Sequence, residues 1–274
     1  MIPLAFDYAR PDTLADAVAL LAEKGEDASV LAGGHSLIPV MNVRLGAPEF
    51  LIDIGRLPEL SYVTIDEAAG EVAIGAGTKH RAVVDSPELA AEVPLLPAVA
   101  RTVGDPQIRA RGTLGGSLAH ADPAADLPAA VLALDGTIVL QGPRGRRSVP
   151  IGEFYTGVFS TVREPDELIV EIRIPRCGDK GWAYEKFTRR SNDWAIVAVA
   201  VSGDRIGLVN MGSTALRATA TEQALAEGRS IAEAAALAAE GTEPPTDTHG
   251  TPAYRTHLAQ VLTRRALETA HGQR

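Results

Sequence analysis

The spacing of apolar positions predicts elements of changing type along this chain. Leu14, Val18 and Leu21 recur at helical spacing, Asp12 or Thr13 can cap the turn before them and Gly25 can stop it, which predicts a helix over 13–24. Residues 29–32 read as a short buried strand, 36–43 as a short helix that tolerates Pro39 in its first turn, and 50–54 as the next strand. Segments 62–65 and 71–74 form a predicted hairpin around Asp66-Glu67-Ala68-Ala69-Gly70. Helical patterns follow at 79–84, 95–103 and 126–134, and strands at 137–140, 147–149 and 168–174. A boundary falls near 175–181. Beyond it, 183–188, 195–202 and 205–211 predict an antiparallel sheet, and alanine-rich helices near 218–227 and 230–240 come next. A polar, proline-bearing segment over 241–250 precedes a last helix over 252–270. Strands first and helices afterwards indicate an α+β C-terminal part.

Two glycine pairs interrupt this pattern: Ala32-Gly33-Gly34-His35-Ser36-Leu37 and Thr113-Leu114-Gly115-Gly116-Ser117-Leu118. Glycine lets backbone N–H groups crowd an anion and a hydroxyl adds a donor, so two such turns suggest two phosphates gripped from two sides. The first lies at a strand-to-helix junction, where anions bind. A tight turn is the bland reading. In the second, Asp122, Pro123, Asp126 and Pro128 follow at rigid positions; Asp126 can cap a helix, bind a ligand, or both. The commoner nucleotide motifs are absent. Gly75-Ala76-Gly77-Thr78-Lys79-His80 has His80 where a dinucleotide fingerprint needs its third glycine, and no lysine follows a glycine as in a P-loop.

The 274 residues suffice for two or three subdomains. A net charge of −9, from 26 basic and 35 acidic side chains, argues against nucleic-acid binding. One cysteine, Cys177, cannot make an internal disulfide or hold a zinc or iron–sulfur centre, and reads as a buried small hydrophobe. His120 and Asp122 resemble part of a metal pair without a third ligand. His35 could touch phosphate or a neighbouring subunit; the simpler expectation is a hydrogen bond within its own loop. No stretch reaches the length of a membrane span and no signal peptide is evident, so the expected location is cytoplasmic.

The segments 32–41 and 113–123, together with Tyr184-Glu185-Lys186-Phe187-Thr188-Arg189-Arg190-Ser191-Asn192-Asp193-Trp194-Ala195, resemble the FAD-binding medium subunit of molybdenum hydroxylases, the xanthine dehydrogenase and aerobic carbon monoxide dehydrogenase family. The resemblance covers essentially the whole chain. It implies an α+β protein: a vanillyl-alcohol-oxidase (PCMH)-type FAD-binding domain over 1–176, built of two α/β subdomains (about 1–55 and 56–176), and a C-terminal domain of antiparallel sheet plus helices over 177–274. By position, Ala32, Gly33, Gly34, His35, Ser36 and Leu37 would wrap the FAD pyrophosphate. Thr113, Gly115, Gly116 and Ser117 would hold its other side, and Gly104 would lie near the adenosine half. Asp126 would take ribose or ribityl hydroxyls, Leu168 would pack on the flavin or adenine, and Lys186 and Trp194 would lie near the isoalloxazine ring. Serine at 117 replaces the asparagine of many relatives, and Ala215-Leu216-Arg217 replaces a Pro-x-Arg.

The function so implied is electron transfer through FAD, with no catalytic residue acting on the primary substrate and no metal bound by this chain. Partners would be a large molybdopterin subunit and a small subunit with two [2Fe-2S] clusters, arranged as a dimer of heterotrimers. The acceptor would be a quinone, NAD or oxygen. One alternative is a stand-alone FAD-dependent oxidoreductase acting directly on a small substrate. Another is an interaction protein that has lost FAD.

Overall fold

The computed structural model describes residues 2–272; Met1, Gln273 and Arg274, at the ends of the two expected domain spans, lie outside the described residues. The chain opens with β1 (Asp7–Ala9), α1 (Leu14–Lys24), β2 (Ala28–Leu31), α2 (Leu37–Asn42) and β3 (Phe50–Asp53), whose strands form a parallel sheet in the order β1-β3-β2. Thr13 is the cap of α1, accepting from Asp16 N at 3.1 Å, and Gly25 ends the helix with φ 56°. The helical stripe Leu14, Ala17, Val18 and Leu21 is buried.

A five-stranded antiparallel sheet follows, in the order β4-β5-β10-β6-β7: β4 (Val63–Asp66), β5 (Glu71–Gly75), β6 (Thr137–Gly142), β7 (Gly145–Pro150) and β10 (Leu168–Pro175). Between β5 and β6 run α3 (His80–Asp85), α4 (Pro87–Glu92), α5 (Leu95–Arg101), α6 (Pro106–Arg111), α7 (Leu114–His120) and α8 (Asp126–Ala133). A two-stranded hairpin, β8 (Tyr155–Gly157) and β9 (Ser160–Thr161), precedes β10. The central strand β10 is covered on both sides. Leu168 and Val170 join α1 and β3 in one core, while Ile172 and Ile174 join α5 and α8 in another. Ile169 already points to the second core, and the register shift between Ile169 and Glu171 puts Ile172 and Ile174 on that same side.

The last sheet, β11 (Trp182–Phe187), β12 (Val197–Ser202), β13 (Arg205–Val209) and β14 (Leu216–Arg217), is antiparallel in chain order. Helices α9 (Thr219–Ala226), α10 (Ile231–Ala235) and α11 (Pro252–Gly272) follow. One face of this sheet packs on α11 through Leu258, Leu262 and Leu267; on the other, Ala198, Ala200 and Val209 join the core that holds α8. The expected helix over 230–240 is shorter, because beyond Ala235 the chain tightens to i→i+3 bonds such as Leu237 N to Ala234 O and Ala238 N to Ala235 O. Helices α4 and α6, absent from the sequence reading, have six residues each, too few to show a period; their signals are Ser86-Pro87 and Asp105-Pro106, a cap followed by proline at the first turn.

Contact between the last sheet and α8 is backbone-close: a Cβ on Gly207 of β13 would lie 2.1 Å from Ala129 O. Gly207→Ala is expected to push α8 outward and lower stability by about 1–3 kcal/mol, read from urea unfolding. An unchanged midpoint would show that this junction yields without cost.

Candidate functional site

Every residue assigned above to FAD lines one cavity of about 620 Å³, within the usual range for ligand sites. Its walls come from β2 and the turn after it, α7, the start of α8, β10, and β11 with the connection that follows.

The first glycine segment is a true turn. Gly34 has φ 78°, a left-handed conformation that turns the chain sharply after β2. Among the described residues no hydrogen bond engages the backbone N–H of Gly33, Gly34, His35 or Ser36. Four consecutive donors on a cavity wall are costly unless water or an anion meets them. The Ser36 hydroxyl makes no capping bond to α2 and is likewise free to donate. His35 is exposed and has no hydrogen bond within its loop among the described residues, contrary to the simpler expectation.

The second glycine segment differs from the expected turn. It is helix α7, capped by Thr113, whose Oγ1 accepts from Gly116 N at 3.1 Å. Its backbone donors are spent inside the fold: Leu114 N on Thr78 O, Gly115 N on Ala76 O, Ser117 N on Thr113 O. The glycines serve close packing. A Cβ at Gly115 would meet Ala76 Cβ at 2.5 Å, and one at Gly116 would meet Thr113 Oγ1 at 2.6 Å. What this segment offers a ligand is the hydroxyls of Thr113 and Ser117 rather than backbone N–H groups. The two segments abut: a Cβ on Gly33 would lie 2.6 Å from Arg111 O and 2.8 Å from Gly112 Cα. Gly75-Ala76-Gly77 gains a similar account, since Cβ atoms at Gly75 and Gly77 would strike Leu60 O at 2.5 and 2.9 Å.

Asp126, 5% exposed at the start of α8, accepts from Lys186 Nζ at 2.8 Å and from Tyr184 Oη at 2.5 Å. Lys186 Nζ also reaches Thr102 O at 3.3 Å. Burial pushes the Asp126 carboxyl above its ordinary range, against the pull of Lys186 and Tyr184; burial and the carboxylate keep Tyr184 protonated. Lys186 is thus paired with a buried carboxyl rather than left alone in the wall. Tyr184, missed from sequence, shares parity with Lys186 on β11, the signal that could have found it. Gly104, with φ 51°, follows α5; Leu168 is 3% exposed at the start of β10; Trp194 is 58% exposed beyond β11. His120 leans on Phe159 at 5.0 Å, and Asp122 accepts from Ala124 N at 2.9 Å, so neither aims at the other. Cys177 is buried.

His80 was also missed as a wall residue. It is 4% exposed, Nδ1 has no partner among the described residues, and a Cβ on Gly112 would strike its ring at 2.6 Å. Burial first, then the positive charges of Lys79, His35 and Arg109, lowers its pKa from 6.5 to about 4.

Two family models match the chain: "FAD binding domain in molybdopterin dehydrogenase" over residues 4–177 and "CO dehydrogenase flavoprotein C-terminal domain" over 182–270. The carbon monoxide dehydrogenase medium chain of Hydrogenophaga pseudoflava is 43% identical over 284 residues, covering 98% of each chain. The 6-hydroxypseudooxynicotine dehydrogenase complex subunit alpha of Paenarthrobacter nicotinovorans is 38% identical over 285 residues, covering 98% of this chain and 96% of its own. The solved carbon monoxide dehydrogenase from Hydrogenophaga pseudoflava that lacks the Mo-pyranopterin moiety superposes with a TM-score of 0.95 at 43% identity, covering 100% of this chain and 99% of that one.

The unfolded chain takes up a proton on His80 near pH 6.5 and the folded one only near 4, so stability is full above 6.5 and falls as pH drops through that window. Between pH 7 and 5 the expected loss is about 2 kcal/mol. His80→Gln should remove that part of the slope in urea titrations; an identical slope in the variant would overturn this assignment.

Proposed function

We propose that this chain, which belongs to the family of FAD-binding medium subunits of molybdopterin-dependent dehydrogenases, carries electrons from the iron–sulfur clusters of a partner subunit to an external acceptor. It is an oxidoreductase flavoprotein subunit whose cofactor is FAD. The observation that carries the site assignment is the row of unpaired N–H groups from Gly33 to Ser36, facing a cavity whose other wall carries the Thr113 and Ser117 hydroxyls. Such a donor set fits a pyrophosphate.

In this reading, Gly33–Ser36 N–H groups and the Ser36 hydroxyl donate to one side of the pyrophosphate, and Thr113 and Ser117 donate to the other. Ala32, His35, Leu37, Gly115 and Gly116 shape the walls around it. Gly104 borders the adenosine half. Asp126 accepts from Tyr184 and Lys186 and keeps lone pairs for a ribose or ribityl hydroxyl. Leu168 supplies an apolar face, and Lys186 and Trp194 border the isoalloxazine. Bound FAD supplies the exchange between one-electron and two-electron transfer; the protein's part is to hold it and keep its surroundings fixed.

Residues 1–176 form the FAD-binding unit, divided near residue 55, and 177–274 the second unit; the change of sheet at β11 supports this division. The partners are a large molybdopterin subunit and a small iron–sulfur subunit, in a dimer of heterotrimers, with a quinone, NAD or oxygen as acceptor. The lone cysteine supports a cytoplasmic assembly; among the described residues no helix is long and apolar enough to cross a membrane. Relatives named for carbon monoxide and for 6-hydroxypseudooxynicotine match over nearly the full length of this chain, which supports leaving substrate choice to the large subunit.

Ser117→Asp tests the pyrophosphate site. A carboxylate near the start of a helix does not harm the helix, but it repels a diphosphate. The dissociation constant for FAD is expected to rise at least about tenfold, or 1.4 kcal/mol, with Tm unchanged; unaltered FAD binding would exclude a pyrophosphate at this wall. For the electron-transfer role, co-expression with the two partner subunits is expected to give a complex in which substrate bleaches the flavin absorbance, while the isolated yellow protein reduces with no small substrate. Substrate-driven reduction of the isolated chain would favour a stand-alone oxidoreductase instead.

A further inference from the structure

The connection between β11 and β12, residues 188–196, brings Asn192, Asp193 and Trp194 to the cavity wall. Among the described residues Trp194 makes no hydrogen bond, so its place is set from the base of the connection rather than from its tip. Two side chains grip that base. Asn210 Nδ2 donates to Ala195 O at 2.9 Å and to Ile196 O at 3.3 Å. Arg255 Nη1 of α11 donates to the same Ile196 carbonyl, while its Nη2 pairs with Asp247 Oδ2 at 2.6 Å.

Both grips are built at a cost. Arg255 is 0% exposed and its Nε has no partner among the described residues. A buried, incompletely met guanidinium stabilises a fold less than an apolar side chain of like volume would. Asn210 sits just past β13 in the left-handed region, φ 61°, which asparagine tolerates better than most residues. Its backbone N–H donates to Pro123 O at 2.8 Å, in the segment between α7 and α8. One residue thus ties the exit of the second glycine segment to the connection that carries Trp194.

We propose that Asn210 and Arg255 are positioning residues that hold residues 188–196 so that Trp194 stays against the flavin end of the cavity. The flavin end rests on the assignment of Trp194 made above. The anchoring itself rests on the hydrogen bonds to Ala195 and Ile196.

The test uses the full-length, FAD-loaded protein with Trp182→Phe, which leaves Trp194 as the only tryptophan of the two in the chain. Asn210→Gly keeps the left-handed backbone and the N–H to Pro123 O but deletes the amide. Acrylamide quenching of Trp194 is expected to rise at least about twofold, the least that losing one of the amide's two hydrogen bonds would give. Flavin fluorescence should move at least halfway to that of Trp194→Ala, with FAD affinity and Tm near their starting values. Arg255→Lys should act in the same direction. If both variants leave Trp194 quenching unchanged, the anchoring is overturned. If Trp194→Ala leaves flavin fluorescence unchanged, the flavin half is overturned, and the quenching result still decides the anchoring.

Discussion

The close approach of Gly33 to the Arg111–Gly112 backbone is the contact on which the site depends. It joins the turn after β2, in the parallel sheet, to the residue pair ahead of α7, in the helical layer over the antiparallel sheet. Neither backbone could come so near if Gly33 bore a side chain. With the contact made, the turn of Gly33–Ser36, whose four N–H groups have no partner among the described residues, and the side chains of Thr113 and Ser117 line one cavity. The glycines thus do different work: Gly34 lets the backbone turn, Gly33 and Gly115 let segments touch, and Gly116 leaves room for the Thr113 cap of its own helix.

Electrostatics in the cavity are held by the cluster of Asp126, Lys186 and Tyr184. Its members come from α8 and β11, so the same bonds that satisfy a buried carboxyl also fasten the last sheet to the helical layer. Removal of any one member would leave a buried group unmet, which costs more than the pair gains. Cavity wall and fold share these residues, and Gly207 against Ala129 seals the same junction by shape alone.

Much of the fold is legible in the sequence because α1 carries a helical stripe and β12 and β13 are short apolar runs broken by Gly203-Asp204. What escaped is short or non-local. Helices α4 and α6 have six residues each and announce themselves only by cap and proline. The second glycine pair reads as a turn by composition; that it is helical depends on Thr78 O and Ala76 O being on hand to take its first N–H groups, which only the folded chain provides. For the site, the glycine pairs and the resemblance they carry pointed to residues that do converge on one cavity. Tyr184 was within reach through its parity with Lys186 on β11, whereas His80, Asn210 and Arg255 were not, because their partners lie on distant segments and no local motif marks them.

The central place of β10 also bears on the order in which the molecule can be made. Its strand lies between β5 and β6, so the sheet under the cavity stays split until residue 175 has left the ribosome, and Lys186 and Trp194 arrive later still. Pairings such as Ile74 with Ile172 join distant parts of the chain, the slow kind to form. The glycine turn near the N-terminus is therefore synthesised long before it has anything to face, and the cavity is walled in at the end of folding rather than at its start.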